Sequence, residues 1–387
     1  MTVAHSGRPK DMPFSEWDRG PWNRWSFQHV REMVPTVLVE RGDGPASSLA
    51  ESPADISHLA FDLDGAPLSV GDWLGNSHTD GFLVISAGAV VAEQYWNGME
   101  RASLHLVQSV SKSVTAAAAG ALVEAGLLDP DQPVTAYLPE LEGTAYAGAS
   151  LRHVLDMTSG TFFDETYTAP DSHCAFLDAA AGWKHRADES WPRTVLDLIL
   201  RLDERELPHG DRFRYRSIET DVLAHCMERA SGLPLGELVS RNVWSPMGAE
   251  RDAYFTVDPS GYAAADGGFN ASLRDLGRFG LMMARGGIVD GRQVVPAAWV
   301  QDCLRGDPAL FTGDYRIALP KGAYRNQFWL EEAGGRVLIC RGVFGQIIYI
   351  DMDRDFVAVK LSSWPQFQDV RETRTALAAI RAIRDSL

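Results

Sequence analysis

An alanine-rich apolar segment constrains the fold of this chain more than any other stretch of its sequence. Residues 110–125 are mostly apolar or small, include four consecutive alanines at 116–119, and are followed by Gly126. A segment of this length and composition can form a buried helix, and glycine is common where a helix stops. We therefore expect a buried central helix that begins near Ser109.

The start of this predicted helix carries a serine and a lysine suited to nucleophilic catalysis. Ser109 and Lys112 are three residues apart, which places them one turn apart on the same helix face. Alanines and valines surround the lysine in the sequence. Burial among them should lower the pKa of its amine toward that of a usable base. Such an amine can activate a neighbouring hydroxyl.

A purely structural explanation of the same residues stays open. Ser109 or Ser111 could cap the helix, with Lys112 extending its amine to solvent. At average residue usage, Ser-x-x-Lys occurs by chance about once in a chain this long. However, lysine occurs only at positions 10, 112, 184, 321 and 360, so a lysine behind a serine at an apolar helix start favours catalysis.

Composition limits the class of partner. The chain has 387 residues, 45% hydrophobic and 23% charged, which suits one large domain or two interleaved domains. The formal net charge of -16 argues against a nucleic-acid or membrane surface, because phosphate contact needs clustered Lys and Arg. We therefore expect a small-molecule substrate.

The sequence predicts a cytoplasmic protein, because it shows no pattern typical of a secretory leader, a membrane anchor or a disulfide framework. The first residues lack an apolar secretory core, and no uninterrupted apolar run has transmembrane length. The four cysteines are scattered without CxxC spacing, which suggests neither a zinc site nor disulfides. No cofactor or metal is implied.

Strand patterns lie at both ends of the chain and helical patterns lie between them. Residues 1–77 read as an irregular arm without chemistry, residues 82–95 as a hairpin, residues 327–362 as an antiparallel meander and residues 370–386 as a helix. This order predicts an α/β domain with an antiparallel sheet flanked by helices, made from residues 1–108 and 267–387. A mainly helical domain, residues 109–266, is inserted into it.

The order of three motifs resembles the serine β-lactamase and DD-peptidase superfamily, in particular its class C-like branch. Ser109-x-x-Lys112 is followed by Tyr215-x-Ser217 and then by a glycine-containing strand near residue 342. Within that branch the likeness is greatest to the nylon-oligomer hydrolases and covers most of the chain. The resemblance implies a β-lactamase-like fold and a homodimer.

The resemblance also implies catalytic roles. Ser109 would be the nucleophile, Lys112 its base partner and Tyr215 the third member of the triad. The backbone N–H groups of Ser109 and Val343 would form the oxyanion hole. A phenol beside Lys112 could ionise or pass a proton to the leaving nitrogen. Taken alone, Tyr215 could equally be a buried tyrosine with a satisfied hydroxyl.

Five further positions match the substrate pocket of the nylon-oligomer hydrolases: Tyr167, Asp178, Trp183, Asp266 and Trp329. The resemblance implies that Tyr167 contacts the scissile amide and that Asp178 can hold an amine, although Asp178 could also be a solvated loop charge. Asp266 stands where those enzymes have asparagine. An extra carboxylate near the pocket would favour an amino-bearing substrate.

Two departures from class C β-lactamases bear on substrate choice. Those enzymes carry Tyr-x-Asn and Lys-Thr-Gly, whereas this chain has Ser217 in place of the asparagine and Cys340-Arg341-Gly342 in place of the second motif. β-Lactams should therefore be poor substrates. Gly342 should still let a substrate approach the strand.

Three functions remain open on the sequence. The first is hydrolysis, through an acyl-serine, of short linear amides such as 6-aminohexanoate oligomers and of small carboxylic esters. The second is a carboxylesterase or transacylase without useful amidase activity, because an ester has the better leaving group. The third is a non-catalytic binding protein of the same fold, against which the intact Ser109, Lys112 and Tyr215 argue.

Overall fold

An eight-stranded sheet drawn from both ends of the chain is the largest element of the structure, a computed structural model that describes residues 7–387. Within those residues there are sixteen strands: β1 Thr36–Val39, β2 Ala50–Glu51, β3 Ala60–Leu63, β4 Ala66–Ser69, β5 Thr79–Ser86, β6 Ala89–Tyr95, β7 Leu104–Leu106, β8 Ala253–Thr256, β9 Phe269–Ser272, β10 Ile288–Val289, β11 Arg292–Gln293, β12 Ala323–Arg325, β13 Phe328–Leu330, β14 Val337–Gly342, β15 Gln346–Asp351 and β16 Phe356–Ser362.

Twelve α-helices lie in the same described part of the chain: α1 Asn23–Ser26, α2 Val70–Asn76, α3 Val110–Glu124, α4 Leu151–Leu155, α5 His173–Ala180, α6 Val195–Ile199, α7 Ile218–Ser231, α8 Leu235–Val239, α9 Leu273–Ala284, α10 Ala297–Cys303, α11 Tyr315–Ala318 and α12 Val370–Ser386. The longest, α12, begins with the Asp369 side chain accepting from the Glu372 N–H. The alanine-rich segment forms α3, which is buried along most of its length as expected.

The large sheet has the order β12-β13-β14-β15-β16-β5-β6-β2. Every pair is antiparallel except β2 with β6. Helix α9 packs closely on the sheet, because a Cβ at Gly280 would lie 2.5 Å from Val357 Cγ1. The apolar residues of α12 join a different core cluster, which contains Phe82 and Val84. The expected antiparallel sheet flanked by helices is confirmed.

A smaller four-stranded sheet, of order β1-β8-β9-β7, was not predicted. It positions the predicted nucleophile, because β7 leads directly into the turn before α3. The Val107 N–H donates to the Phe269 carbonyl at 2.9 Å, and the Phe269 N–H donates to Ser111 Oγ at 3.0 Å. The start of α3 is thereby joined to β9, three residues after Asp266.

The arm was wrongly predicted to be irregular throughout. Its first six residues lie outside the described part of the chain, but residues 36–77 contain β1, β2, the β3–β4 hairpin and α2. Helix α2 buries Trp73 against Phe82, with ring centroids 5.7 Å apart. Between residues 7 and 387, no helix has both the length and the apolarity needed to cross a membrane.

Candidate active site

Ser109 lies at the turn between β7 and α3. Its side chain makes no capping hydrogen bond to the helix, so the simple N-cap explanation does not hold. The residue before it, Gln108, has a φ of 51°, a conformation that few non-glycine residues adopt. This tight turn brings Ser109 onto the wall of a pocket that Val343 and Asp266 also line.

Lys112 is buried beneath Ser109 and makes three hydrogen bonds. Its Nζ donates to Ser109 Oγ at 3.0 Å, to Ser217 Oγ at 3.4 Å and to the Asp266 carbonyl at 2.5 Å. Only 1% of the residue is exposed. The three acceptors use all three protons of an ammonium group, so this arrangement suits the charged form of the lysine.

The expected lowering of the Lys112 pKa is wrong. Burial is the largest single influence and does lower the pKa, but attraction to the acidic groups of Tyr215, Asp266, Glu165 and Asp221 outweighs burial and raises it. These groups come from three distant segments of the chain, because Tyr215 and Asp221 belong to the same one. The neutral amine is therefore the minor form of Lys112 at neutral pH.

Tyr215 lies beside Lys112, as the motif order implied. The Lys112 ammonium is 5.3 Å from the centre of the Tyr215 ring. Burial raises the pKa of the phenol, and the attraction to Lys112 only partly opposes this. The phenol therefore keeps its proton at neutral pH. In that form it can donate a proton to a leaving group.

Two contacts hold the segment that carries Tyr215. The Tyr215 N–H donates to the Tyr315 hydroxyl at 3.0 Å. The next residue, Arg216, is fully buried and donates to Glu206 Oε1 at 2.7 Å. Trp329, which matches a pocket tryptophan of the nylon-oligomer hydrolases, stacks on the Tyr215 ring, with centroids 5.6 Å apart.

The two predicted oxyanion donors share this site. Ser109 and Val343 both line the pocket. Neither of their N–H groups donates to a protein acceptor in the part of the chain that the structure describes. Two free N–H groups on one pocket, one of them at the positive N-terminal end of α3, suit a developing negative charge.

Gly342 has a different role from the one expected. A Cβ there would lie 2.6 Å from the Val107 carbonyl oxygen and 3.0 Å from Gln108 Cβ. The turn that carries Ser109 already occupies this space, so Gly342 allows close packing of β14 against the turn rather than approach of a substrate.

Glu165 is a site residue that the sequence interpretation missed. It accepts from Ser217 Oγ at 2.6 Å, from the Ser217 N–H at 2.9 Å and from the Tyr167 hydroxyl at 2.8 Å. Ser217 in turn accepts from Lys112. A continuous polar chain therefore runs from Lys112 to Tyr167. The only sequence signal was the position of Glu165 two residues before Tyr167.

Asp178 lines the pocket, but its charge is already paired. Its carboxylate contacts Lys184 Nζ at 2.5 Å, and Lys184 also lies 3.2 Å from Asp18. Asp18 lines the pocket too, although the arm was expected to contribute no chemistry. Burial is the main cause that raises the pKa of the Asp18 carboxyl. The three groups form a compact cluster on one wall.

Trp183 and Asp266 also lie on the pocket, as the resemblance implied. The Trp183 ring is held by its Nε1–H, which donates to Thr256 Oγ1 at 3.0 Å. Burial raises the pKa of the Asp266 carboxyl to about 6, with Lys112 opposing the shift. Unlike Asp178, this carboxylate forms no salt bridge within residues 7–387, although the nearby Lys112 ammonium attracts it.

No group of three or more His, Cys, Asp or Glu side chains among the described residues is placed to hold a metal ion. All four cysteines are free and buried. The site therefore combines a hydroxyl and two free backbone donors on one pocket with the buried Lys112 amine and the neighbouring Tyr215 phenol.

The sequence matches the profile of the Beta-lactamase family over residues 75–382. It is 38% identical over 370 residues to the 6-aminohexanoate-dimer hydrolase of Paenarthrobacter ureafaciens, a match that covers 94% of this chain and 90% of that protein. It is also 28% identical over 176 residues to Esterase EstB of Burkholderia gladioli, covering 43% of this chain and 42% of the esterase.

One solved structure has a similar fold over nearly the whole length. A provisionally named 6-aminohexanoate-dimer hydrolase of Bacillus anthracis superposes with a TM-score of 0.88 at 25% sequence identity. The superposition covers 98% of each chain.

Proposed function

Because the chain belongs to the Beta-lactamase family and is a hydrolase, we propose that it cleaves short linear amides and small carboxylic esters through an acyl-serine intermediate. The single observation that carries this proposal is the 3.0 Å contact between Lys112 Nζ and Ser109 Oγ in a buried site. The likeness to the 6-aminohexanoate-dimer hydrolase supports an amide substrate, and the likeness to the esterase supports esters.

The proposed acylation starts from the minor form in which Lys112 is neutral. Ser109 Oγ attacks the carbonyl carbon while its proton passes to Lys112, and the Ser109 and Val343 N–H groups bind the oxyanion. The C–N bond then breaks as Tyr215 protonates the leaving nitrogen, and Lys112 returns a proton to Tyr215. Deacylation follows the same steps with water in place of Ser109. Water attacks the acyl carbonyl while its proton passes to Lys112. The Ser109 oxygen then leaves and receives the proton back.

Amides and esters differ in whether the leaving group must be protonated. An amine is a poor leaving group, whereas a phenolate leaves without help, so a misplaced Tyr215 or Tyr167 would impair amides more than esters. Hydrolysis of the 6-aminohexanoate dimer, a p-nitrophenyl ester and nitrocefin should be measured side by side. Ester turnover without dimer turnover would favour the carboxylesterase or transacylase alternative, and no turnover of either would contradict the proposal.

The acidic wall supports an amine on the acyl side of the substrate. Asp18, Asp178 and Asp266 line the pocket, with Lys184 as the only basic partner of the first two among the described residues. An ammonium group placed there would gain about 1 kcal/mol from a partly screened carboxylate. The net charge of -16 would further raise the local cation concentration.

This amine preference should depend on pH through Asp266. Its pKa of about 6 lies above the ordinary value of 3.8, so the carboxyl is mostly neutral at pH 5 and ionised at pH 8. Only the ionised form attracts an ammonium group. The ratio of kcat/KM for p-nitrophenyl 6-aminohexanoate to that for p-nitrophenyl hexanoate should therefore rise several-fold from about pH 5 to about pH 8. Steps common to both esters cancel in the ratio.

Substitution of single aspartates tests which carboxylate causes the preference for an amine. Asp266→Asn should lower the ratio at pH 8 several-fold and flatten its pH dependence. Asp178→Asn should change it less, because Lys184 already neutralises that carboxylate. Asp171→Asn, at an exposed aspartate two residues before α5, serves as the control. A ratio in Asp266→Asn that still rises through pH 6 would rule out Asp266 as the amine-binding group.

β-Lactams should be poor substrates. Ser217 stands where class C β-lactamases have asparagine, and its hydroxyl is already engaged with Glu165. Arg341 and Cys340 replace the threonine and lysine of the other motif, and the Arg341 guanidinium lies 5.0 Å from the centre of the Trp329 ring. Nitrocefin turnover should be at least about a hundredfold slower than ester turnover, a loss of about 3 kcal/mol in transition-state binding. Comparable rates would contradict this.

A further inference from the structure

The buried carboxyl of Asp221 links two segments that hold Lys112. Asp221 lies on α7, one turn after Ser217, whose hydroxyl accepts from Lys112 Nζ at 3.4 Å. Its Oδ1 accepts from the Ala265 N–H at 3.0 Å. The next residue, Asp266, supplies the backbone carbonyl that accepts from Lys112 Nζ at 2.5 Å. One carboxyl oxygen therefore joins α7 to the segment that carries this carbonyl.

The same carboxyl oxygen holds that segment at a second point. The Tyr262 hydroxyl donates to Asp221 Oδ1 at 3.1 Å, and both Tyr262 and Ala265 lie in the loop between β8 and β9. The Tyr262 ring is buried and stacks on His225, which lies one turn after Asp221, with centroids 3.9 Å apart. These contacts fix the loop against α7, and the position of the Asp266 carbonyl follows from them.

The environment of this carboxyl is unfavourable for a group that only fills space. Its other oxygen, Oδ2, is buried without a hydrogen-bond partner in the described part of the chain. Burial, and then repulsion by Asp266, raise the pKa of the Asp221 carboxyl well above its ordinary value of 3.8, with Lys112 opposing the shift. A buried polar atom without a partner costs free energy. Departures of this kind are found mainly at functional sites.

We propose that Asp221 is a positioning residue for the reaction of Ser109. Its Oδ1 fixes the Asp266 carbonyl, which in turn holds Lys112 Nζ within reach of the Ser109 hydroxyl. This inference rests on the proposed acyl-serine mechanism and adds to it a residue behind the reacting groups. Asp221 is fully buried, so it acts through Lys112 and not on the substrate. Its loss should slow the chemical steps and leave substrate binding unchanged.

The test is Asp221→Ala, which removes the oxygen that holds the loop. We expect kcat for p-nitrophenyl hexanoate to fall about thirtyfold, because small displacements of a reacting group are costly. KM should stay within about twofold, since both acylation and deacylation use Lys112 and slow together. The rate at which a fluorophosphonate probe labels Ser109 should fall by a factor similar to that for kcat.

A conservative variant separates the position of the oxygen from the charge of the carboxyl. In Asp221→Asn the amide oxygen can replace Oδ1, and the amide nitrogen replaces Oδ2, which has no hydrogen bond to lose. Because both acceptor contacts are kept, this variant should retain at least about a third of the wild-type kcat. Cys226→Ala, at a fully buried residue of the same helix, is the control for lost volume and should stay within about twofold.

Each result decides the matter. An asparagine variant as slow as the alanine variant would show that charge and not position matters, and would overturn the inference. Wild-type rates in Asp221→Ala, or equal slowing in Cys226→Ala, would overturn it as well. Thermal unfolding shows whether each variant is folded, and Asp221→Ser, too short to reach the Ala265 N–H, replaces the alanine variant if that one is not. A wild-type protein that neither hydrolyses the ester nor is labelled at Ser109 would instead contradict the proposed function.

Discussion

Ser109→Ala should reduce hydrolysis of both the ester and the amide at least about a thousandfold, because the acyl-enzyme can no longer form. The hydroxyl receives the hydrogen bond from Lys112 and lies on the pocket with the two free N–H groups. Remaining binding groups can still orient a water molecule, so a slow residual rate is expected. Initial rates with p-nitrophenyl hexanoate measure the effect.

The fold should survive this change. Ser109 makes no capping bond, but its hydroxyl accepts from the buried Lys112 ammonium, so its loss should lower the free energy of unfolding by about 1 to 2 kcal/mol and leave the protein folded. A fluorophosphonate probe should label the wild type at Ser109 and should not label the variant. Ser111→Ala is the matched comparison for labelling, since that hydroxyl donates to the Gln108 carbonyl away from the pocket. A variant that keeps most of the activity would show that another group is the nucleophile.

Elements with strong local patterns were predictable from the sequence. Helix α12 was expected at residues 370–386 and occupies that range, because its apolar residues recur at helical spacing there and the Asp369 side chain caps its start. The β5–β6 hairpin also forms where two apolar runs and a glycine turn indicated. The family and its fold followed from the order of motifs, and the comparisons confirm both.

The features that were missed depend on contacts between distant segments. Glu165 meets Ser217 across 52 residues, and Trp17 of the arm donates to the Trp183 carbonyl across 166 residues, which brings Asp18 to the pocket. The second sheet likewise pairs β1 with β8. No local pattern encodes such pairings, because each segment alone is compatible with several partners.

The error in the Lys112 pKa has the same origin. In the sequence its neighbours are alanine and valine, and these predict desolvation alone. In the fold, acidic groups of three other segments surround the amine and reverse the direction of the pKa shift. Desolvation could be read from neighbouring residues, whereas the charges could be read only from the folded structure.

Replacing Lys112 should have the second large effect on activity, and the raised pKa of this residue determines how that effect depends on pH. Lys112→Met removes the amine, keeps a side chain of similar length and should lower kcat/KM at least about a thousandfold for both esters and amides. Lys321→Met, at an exposed lysine paired with Glu332, is the control. Since removal of a buried charge also disturbs its acidic neighbours, the melting temperature of each variant should be measured.

The pH profile and a second variant distinguish two roles of Lys112, that of a proton acceptor and that of a positive charge. If neutral Lys112 is the base, its raised pKa means that kcat/KM should increase with pH through the neutral and mildly alkaline range. Lys112→Arg keeps the positive charge near Ser109 and Asp266, but a guanidinium does not lose its proton in this range. It should therefore be almost as inactive as Lys112→Met and should lack the rise with pH. An arginine variant that retained more than about a tenth of the activity would assign Lys112 an electrostatic role and leave Tyr215 as the base.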